Sequence, residues 1–382
     1  MKNVLILGST GSIGINTLKV IRRHHDRFRV VGLTAYNNLD AFERQIREFG
    51  PRWVAIRADL SGSLRQRLGS RGVRILDVDT DLEDLVSMKS VDIVVIAMRG
   101  AAALRPFLKA VQSGKTVLPA NKEALVIGGD LLIKAAKKSG ARIIPIDSEQ
   151  SAIFQCLEQK HSQEIRRIVL TASGGPLLKI PASRFARVTR EQVLKHPRWN
   201  MGAKITVDSA TMMNKGFEVI EAKRLFGIDA GRIEVVIHPE AIIHSMVEFE
   251  DASILAQLAN PDMRLPIQYA LTYPDRLPCD VAGVDFFGLK QMTFEKPDVK
   301  KFPCLQLCYD VAKAEGTLPS VLNAADEEAV ELFLQNRIRL TDIYRLVAQV
   351  VAAHHSPPHV TLDAILAADR WAREEIKRKI HV

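Results

Sequence analysis

Several short stretches gather side chains able to hold a cation or an anion. Asp147-Ser148-Glu149 follows the apolar run Arg142–Ile146. In extended chain, residues i and i+2 point the same way, so Asp147 and Glu149 would converge on one cation. Hard divalent ions such as Mg²⁺ or Mn²⁺ take a few carboxylate oxygens together with substrate and water. The same triplet also reads as a helix N-cap with acids in the first turn, and the two roles are compatible. Asn214 and Glu218 lie one helical turn apart, with Lys215 beside them and Thr211 behind. Glu218 is a candidate third carboxylate, and Asn214 and Lys215 a candidate phosphate grip; the alternative is a solvated polar helix face. Asn121-Lys122-Glu123 ends another apolar run, placing Lys122 to contact substrate oxygens and Glu123 to cap a helix. His196, Trp199 and Met201 fall in a long polar stretch where a tryptophan has no core to join, which points to a substrate lid. His238 and His244 sit at strand ends without metal-ligand spacing, and both read as structural.

These groups need a scaffold, and its first turn is itself a binding feature. Gly8, Gly11 and Gly14 form GxxGxxG between the strand Val4–Leu7 and a helix. Glycines let the backbone turn tightly against a pyrophosphate, and the helix N-terminus offers free N–H groups. NAD sites usually carry an acid at the end of the next strand, about 20 residues on. Here that strand ends Leu33-Thr34-Ala35-Tyr36-Asn37-Asn38, with no acid before Asp40, which favours NADP(H).

Residues 1–146 alternate continuous apolar runs with helical patterns, the mark of a buried parallel sheet. Residues 147–273 read as an α+β catalytic domain. Within it, 173–204 forms a lid loop containing a capping box at Thr189, a helix spans Ser209–Phe226, and the later strands are antiparallel. Residues 274–303 read as a proline-rich linker, and 304–382 as a bundle of four helices. The fold class is therefore α/β: a Rossmann-like parallel sheet, an α+β catalytic domain, and a C-terminal helical bundle.

The 382 residues are 47% hydrophobic and 25% charged, ordinary for a globular protein of two or three domains. No apolar run reaches the roughly 18 residues of a membrane span. No leader-like pattern precedes the first strand, and a cytoplasmic setting is expected. The four cysteines form no CxxC pair, which argues against structural zinc; Cys304 and Cys308, one turn apart, read as half-buried thiols. The net charge of +9 is scattered and locally balanced, so no nucleic-acid surface is expected.

In combination, Gly8–Gly14, Asn121–Glu123, Asp147–Glu149, Ser173-Gly174-Gly175-Pro176, His196-Pro197 with Trp199, Asp208–Gly216, Ile243–Val247 and Leu322–Glu327 closely resemble the 1-deoxy-D-xylulose 5-phosphate reductoisomerase family along the whole chain. The resemblance implies rearrangement of that substrate and reduction by NADPH to 2-C-methyl-D-erythritol 4-phosphate, in the non-mevalonate isoprenoid pathway. It implies Mg²⁺, Mn²⁺ or Co²⁺ and a homodimer. By matching motif, Asp147, Glu149 and Glu218 resemble the metal ligands, and Ser173, Ser209, Asn214 and Lys215 the phosphate set. Lys122 and Ser148 match residues at the reacting end of the substrate, His196 and His244 active-site histidines, and Trp199 the lid. Gly8, Thr10, Gly11, Ser12, Ile13, Asn38, Asn121, Glu123 and Gly202 match the cofactor site. Two positions depart from the pattern. Tyr36 and Asn37 stand where a small and a basic residue are common, and Arg99 stands where an apolar one is. The rival readings are another NADP-dependent dehydrogenase of a small phosphorylated or amino-acid aldehyde, of which a semialdehyde dehydrogenase would need a nucleophilic cysteine near these motifs, and a non-catalytic NADP sensor, which would not need three carboxylates.

Overall fold

The computed structural model describes residues 1–70, 72–158, 164–199 and 201–380. The chain forms two compact units that alternate along the sequence. One comprises Met1–Ala124, Leu131–Ser151 and Asp262–Val281; the other comprises Leu125–Asp130, Ala152–Pro261 and the chain from Ala282 onward.

The first unit is built on seven strands: β1 Lys2–Leu7, β2 Phe28–Thr34, β3 Trp53–Ile56, β4 Arg74–Asp77, β5 Ile93–Ile96, β6 Thr116–Pro119 and β7 Arg142–Ile143. Their order is β4-β3-β2-β1-β5-β6-β7, and every pairing is parallel. Val4–Leu7, Val54–Ile56 and Val94–Ile96 are fully buried, as strands covered on both faces must be. β7 stops earlier than the apolar run implied. Pro145 lacks an N–H, although Ile144 and Ile146 on either side still donate to β6. The strand order reverses between β1 and β5, the topological switch point where open α/β sheets bind ligands. The crossovers carry helices α1 Ser12–Arg23, α2 Leu39–Phe49, α3 Ala58–Leu68, α4 Leu82–Ser87, α5 Leu104–Gln112 and α6 Lys122–Ser139, and α7 Ser148–Cys156 follows β7.

The second unit holds helices α8 Arg190–Val193, α9 Ala203–Thr211 and α10 Met213–Phe226, and strands β8 Ile165–Ala172, β9 Ile233–Ile237, β10 Ile243–Phe249 and β11 Ile254–Leu258. The sheet order is β11-β10-β8-β9. The expectation of an antiparallel sheet holds for β10 against β8 and β11, but β9 runs parallel to β8. A tight turn joins β10 to β11, whereas the chain between β8 and β9 carries α9 and α10, and a crossover of that length permits a parallel pair.

The single helix expected over Ser209–Phe226 is two helices. The break falls at Met212, whose φ is +60°, and α9 begins earlier, at Ala203. Thr211 Oγ1 accepts from the Met213 N–H at 3.3 Å, a local bond that competes with helical continuity. The polar stretch before α9 contains a 3₁₀ turn, Ala182–Arg187, and α8, which opens with the expected Thr189–Gln192 capping box.

Helix α11 Arg264–Thr272 belongs to the first unit and packs on α1, with His24 Nε2 and Gln268 Oε1 2.9 Å apart. A short helix α12 Phe286–Leu289 and a bridge from Glu295 to Ile237 lie within 274–303. Four helices follow, as expected: α13 Pro303–Ala314, α14 Leu318–Leu334, α15 Leu340–Ala353 and α16 Leu362–Ile380.

Candidate functional site

The glycine turn at the end of β1 is held open by geometry that side chains cannot share. Gly8 has φ +86°, and a Cβ there would lie 2.5 Å from the Ala97 carbonyl oxygen beyond β5. A Cβ at Gly14 would meet the Gly8 oxygen at 2.5 Å. Thr34, ending β2, fixes the turn: the Gly8 N–H donates to its Oγ1 at 2.9 Å and the Ser9 N–H to its carbonyl at 2.8 Å. Gly11 caps α1 without a side-chain bond, and Gly11 and Ser12 are exposed while Thr10 and Ile13 are half-buried. The helix therefore opens with uncovered N–H groups and its positive dipole end. Tyr36, Asn37 and Asn38 are exposed, and Asn38 caps α2 by accepting from the Ala41 N–H at 3.1 Å. Arg99 is exposed just past β5. A cradle that any Cβ would fill, an open helix end and no acid after β2 together fit a dinucleotide with a 2′-phosphate.

Two further strand ends of the first unit carry charge. Asn121 caps α6, accepting from the Ala124 N–H at 3.3 Å, while its amide donates to the Met98 carbonyl. This cap places Lys122 in the first turn, nearly buried, with Nζ 3.0 Å from Asp147 Oδ1; Glu123 beside it is half-buried. The extended-chain geometry expected for Asp147 and Glu149 is not what occurs. The chain enters α7 at Ser148, and the Asp147 carbonyl accepts the helical bond from the Ser151 N–H at 2.8 Å. Glu149 thus lies in the first turn, where the dipole favours an acid, and Ser148 Oγ donates to its Oε2 at 2.5 Å. A carboxylate oxygen of Asp147 still lies within 4.8 Å of one of Glu149. These are hard oxygen donors of the kind that suits Mg²⁺ or Mn²⁺.

In the second unit, α10 does not present the solvated face that was the alternative. Glu218 is fully buried and Lys215 nearly so. Lys215 Nζ donates to Glu218 Oε2, and Asn214 Nδ2 donates to Oε1 at 2.7 Å. Ser173 directly follows β8, and Gly174 and Gly175 come next at φ +80° and +67°. A Cβ on Gly175 would lie 2.5 Å from the Ser209 carbonyl oxygen and 3.1 Å from Ser209 Oγ, so this turn lies directly against α9. Ser173 and Ser209 therefore stand on neighbouring backbones. Gly202 is the exposed N-cap of α9.

His196 organises the loop above them. Its Nδ1 accepts from the backbone N–H groups of Trp199 at 2.9 Å and Arg198 at 3.2 Å. Burial lowers its pKa to about 4, so the ring is neutral near pH 7. With Nδ1 accepting, the proton sits on Nε2, which donates to Ser173 Oγ at 3.1 Å. Ser173 keeps its own hydroxyl proton for another acceptor. Trp199 is half-buried, its ring centroid 6.3 Å from that of the nearly buried His244; Met201 is half-buried nearby in sequence. His238 is structural as expected, paired with the Thr293 carbonyl at 3.0 Å and the Ile242 N–H at 3.2 Å.

One cluster went unread in the sequence. Lys204 Nζ donates to Asp208 Oδ2 at 2.5 Å and lies 2.9 Å from Asp326 Oδ2, joining α9 to α14. Asp326 is fully buried, and desolvation pushes its carboxyl up. The i,i+4 spacing of Lys204 and Asp208 was the available signal; nothing local linked them to Asp326. Cys304 and Cys308 are fully buried rather than half-buried, and burial pushes both thiols up, away from nucleophilic chemistry.

Comparison with known proteins gives one consistent result. Residues 4–129 match the family described as 1-deoxy-D-xylulose 5-phosphate reductoisomerase, 143–226 that enzyme's C-terminal domain, and 258–375 the DXP reductoisomerase C-terminal domain. The chain is 48% identical to the 1-deoxy-D-xylulose 5-phosphate reductoisomerase of Pelotomaculum thermopropionicum, covering 98% of this chain and 97% of that one. It is 47% identical to that of Thermodesulfovibrio yellowstonii over 100% of both. A solved DOX-P reductoisomerase in complex with NADPH, fosmidomycin and magnesium superposes with a TM-score of 0.96 at 40% identity, covering 100% of this chain and 98% of that one. The Zymomonas mobilis enzyme in complex with NADPH gives 0.93 at 39%, covering 99% of each.

Proposed function

The chain belongs to the 1-deoxy-D-xylulose 5-phosphate reductoisomerase family, and we infer on that premise that it is an NADPH- and divalent-metal-dependent enzyme that rearranges 1-deoxy-D-xylulose 5-phosphate and reduces it to 2-C-methyl-D-erythritol 4-phosphate. The observation that best supports this beyond the family is the pair Asp147 and Glu149 in the first unit, with carboxylate oxygens within 4.8 Å of one another, and the buried Glu218 of the second unit is the third acid of this reading. The chain's site residues supply what the chemistry needs. When bound, the cation supplies Lewis-acid polarisation of the substrate carbonyl and hydroxyl, and NADPH supplies the hydride.

Around that chemistry the protein binds, orients and excludes water. Asp147, Glu149 and Glu218 hold the cation, and Lys122 and Ser148 face the reacting end of the substrate. Ser173, donating its free hydroxyl proton, joins Ser209, Asn214 and Lys215 on the phosphate; gripping that remote group orients the carbons that react. Half-buried and neutral, His196 fixes the Ser173 hydroxyl and ties down the backbone of Trp199. In this way phosphate binding and the lid are coupled through one imidazole. Gly8, Thr10, Gly11, Ser12, Ile13, Asn38, Asn121, Glu123 and Gly202 make up the cofactor side, and His244 backs the lid tryptophan.

The domain division follows the same reading: residues 1–146 bind NADPH, 147–273 carry metal and substrate, and 304–382 form the helical domain, with 274–303 as linker. The enzyme works as a homodimer in the cytoplasm. Support for self-association comes from the edge strand β11, where Ile254 and Leu255 are 51% and 47% exposed, and from Phe287, 95% exposed. Among the described residues no helix is long and apolar enough to cross a membrane. The test is the loss of NADPH absorbance with purified chain. Oxidation should require both 1-deoxy-D-xylulose 5-phosphate and Mg²⁺ or Mn²⁺, and a metal-loaded sample without turnover would overturn the assignment.

A further inference from the structure

The strand that should end in a basic residue for a 2′-phosphate ends instead in Tyr36, Asn37 and Asn38, all exposed. Its neighbour in the sheet supplies what it lacks. β2 and β3 run side by side with Thr34 opposite Ala55, and the Ala35 N–H extends the pairing to the Ala55 carbonyl at 3.0 Å. Their carboxyl ends therefore release Tyr36 and Arg57 at the same corner. The Arg57 guanidinium lies 5.3 Å over the Tyr36 ring, a cation–π stack on an exposed platform. The same β2 end holds the glycine turn through Thr34, so the corner is fixed relative to the pyrophosphate cradle. Two other arginines of this unit have partners of their own. Arg52 stacks on Trp53 at the opposite end of β3, and Arg67 pairs with Asp40 and Glu43.

We propose that Arg57 is the residue that selects NADPH over NADH in this chain, gripping the 2′-phosphate from the end of β3 with Tyr36 as its platform. The proposal rests on the glycine turn being the dinucleotide site. Guanidinium matches phosphate geometry by paired N–H donors, and an arginine near this position is how such folds accommodate a 2′-phosphate. Arg57 donates to Asp59 Oδ2 at 2.7 Å, but the two side chains are 38% and 57% exposed. Exposed pairs of that kind are screened by solvent and add little, so a phosphate dianion displaces Asp59 readily.

Calorimetric titration with 2′,5′-ADP and with 5′-AMP tests this without turnover. Wild type should prefer 2′,5′-ADP. Arg57→Ala should weaken 2′,5′-ADP on the order of 10–100-fold, the loss of a charge-assisted phosphate contact, while 5′-AMP changes by less than about twofold. Asp59→Ala, which frees the guanidinium, should tighten 2′,5′-ADP alone. Equal weakening of both nucleotides by Arg57→Ala would overturn the proposal, since Arg57 would then serve the adenine. An unchanged preference in Arg57→Ala would also overturn it while leaving the NADPH site intact. If wild type binds neither nucleotide, the dinucleotide reading itself fails. Arg57 is partly exposed, so the variants should fold, and thermal melts confirm that.

Discussion

His196 shows how one half-buried ring sets a pH range. Its folded pKa of about 4 lies below the unfolded value near 6.5. The stability it contributes is therefore complete above about pH 6.5 and is lost as pH falls towards 4, where the unfolded state takes up the proton first. His196→Phe should melt with less acid sensitivity than wild type between pH 6.5 and 4.5, by about 1 kcal/mol once solvent screening of this half-buried ring is allowed for. Parallel acid profiles for the two proteins would remove His196 from that role. At Glu218 the question is charge rather than protonation. Glu218→Gln keeps the bond from Asn214 but removes a carboxylate, so metal-dependent turnover should fall at least about 100-fold while NADPH affinity stays within about twofold. Retained activity would dismiss the three-carboxylate site. The spacing of Asn214, Lys215 and Glu218 was legible in the sequence. Their burial was not, because a helix face does not announce which distant segment will cover it. The bonds that His196 Nδ1 accepts from Trp199 and Arg198 were hidden for a similar reason, since loop backbone N–H groups leave no trace in residue type.

Elements were legible where period and punctuation agree. The parallel strands of the first unit stood out as continuous apolar runs, and the Thr189 capping box marked α8 to the residue. The break at Met212 did not stand out. No glycine or proline flags it, and the competing partner is a threonine hydroxyl. Nor did the parallel setting of β9, which depends on α9 and α10 forming the crossover. The joint between α9 and α14 makes its own prediction. Burial raises the Asp326 carboxyl, so the folded state holds that proton more tightly than the unfolded chain. Its burden on stability is absent near pH 4 and grows as pH rises through the interval between the two values. Asp326→Asn removes this buried charge while Lys204 keeps its bond to Asp208. The variant should melt about 2 °C or more above wild type at pH 8, the shift that about 1 kcal/mol produces in a large domain, and close to wild type at pH 4. A lower melting temperature at pH 8 would mean that Asp326 is held there as an anion.

At the scale of the whole molecule, the exposed apolar residues of β11 carry the expectation of self-association. Leu255→Glu on this edge strand should shift the protein from dimer to monomer, as read by light scattering behind size exclusion, and an unchanged mass would place any interface elsewhere. The broad architecture followed from the sequence because strand-helix alternation and an all-helical end are coarse signals. The return of α11 to the first unit was invisible, because a nine-residue helix carries no address in its own residues. That return has a consequence for how the protein is made. The first 150 residues contain every strand of the parallel sheet, yet the surface of α1 that receives His24–Gln268 stays bare until residues 262–281 have been synthesised. A ribosome must therefore translate more than a hundred further residues before its earliest product can close. A nascent chain stalled near residue 150 should bind holdase chaperones and yield to protease, and one stalled past residue 281 should resist both.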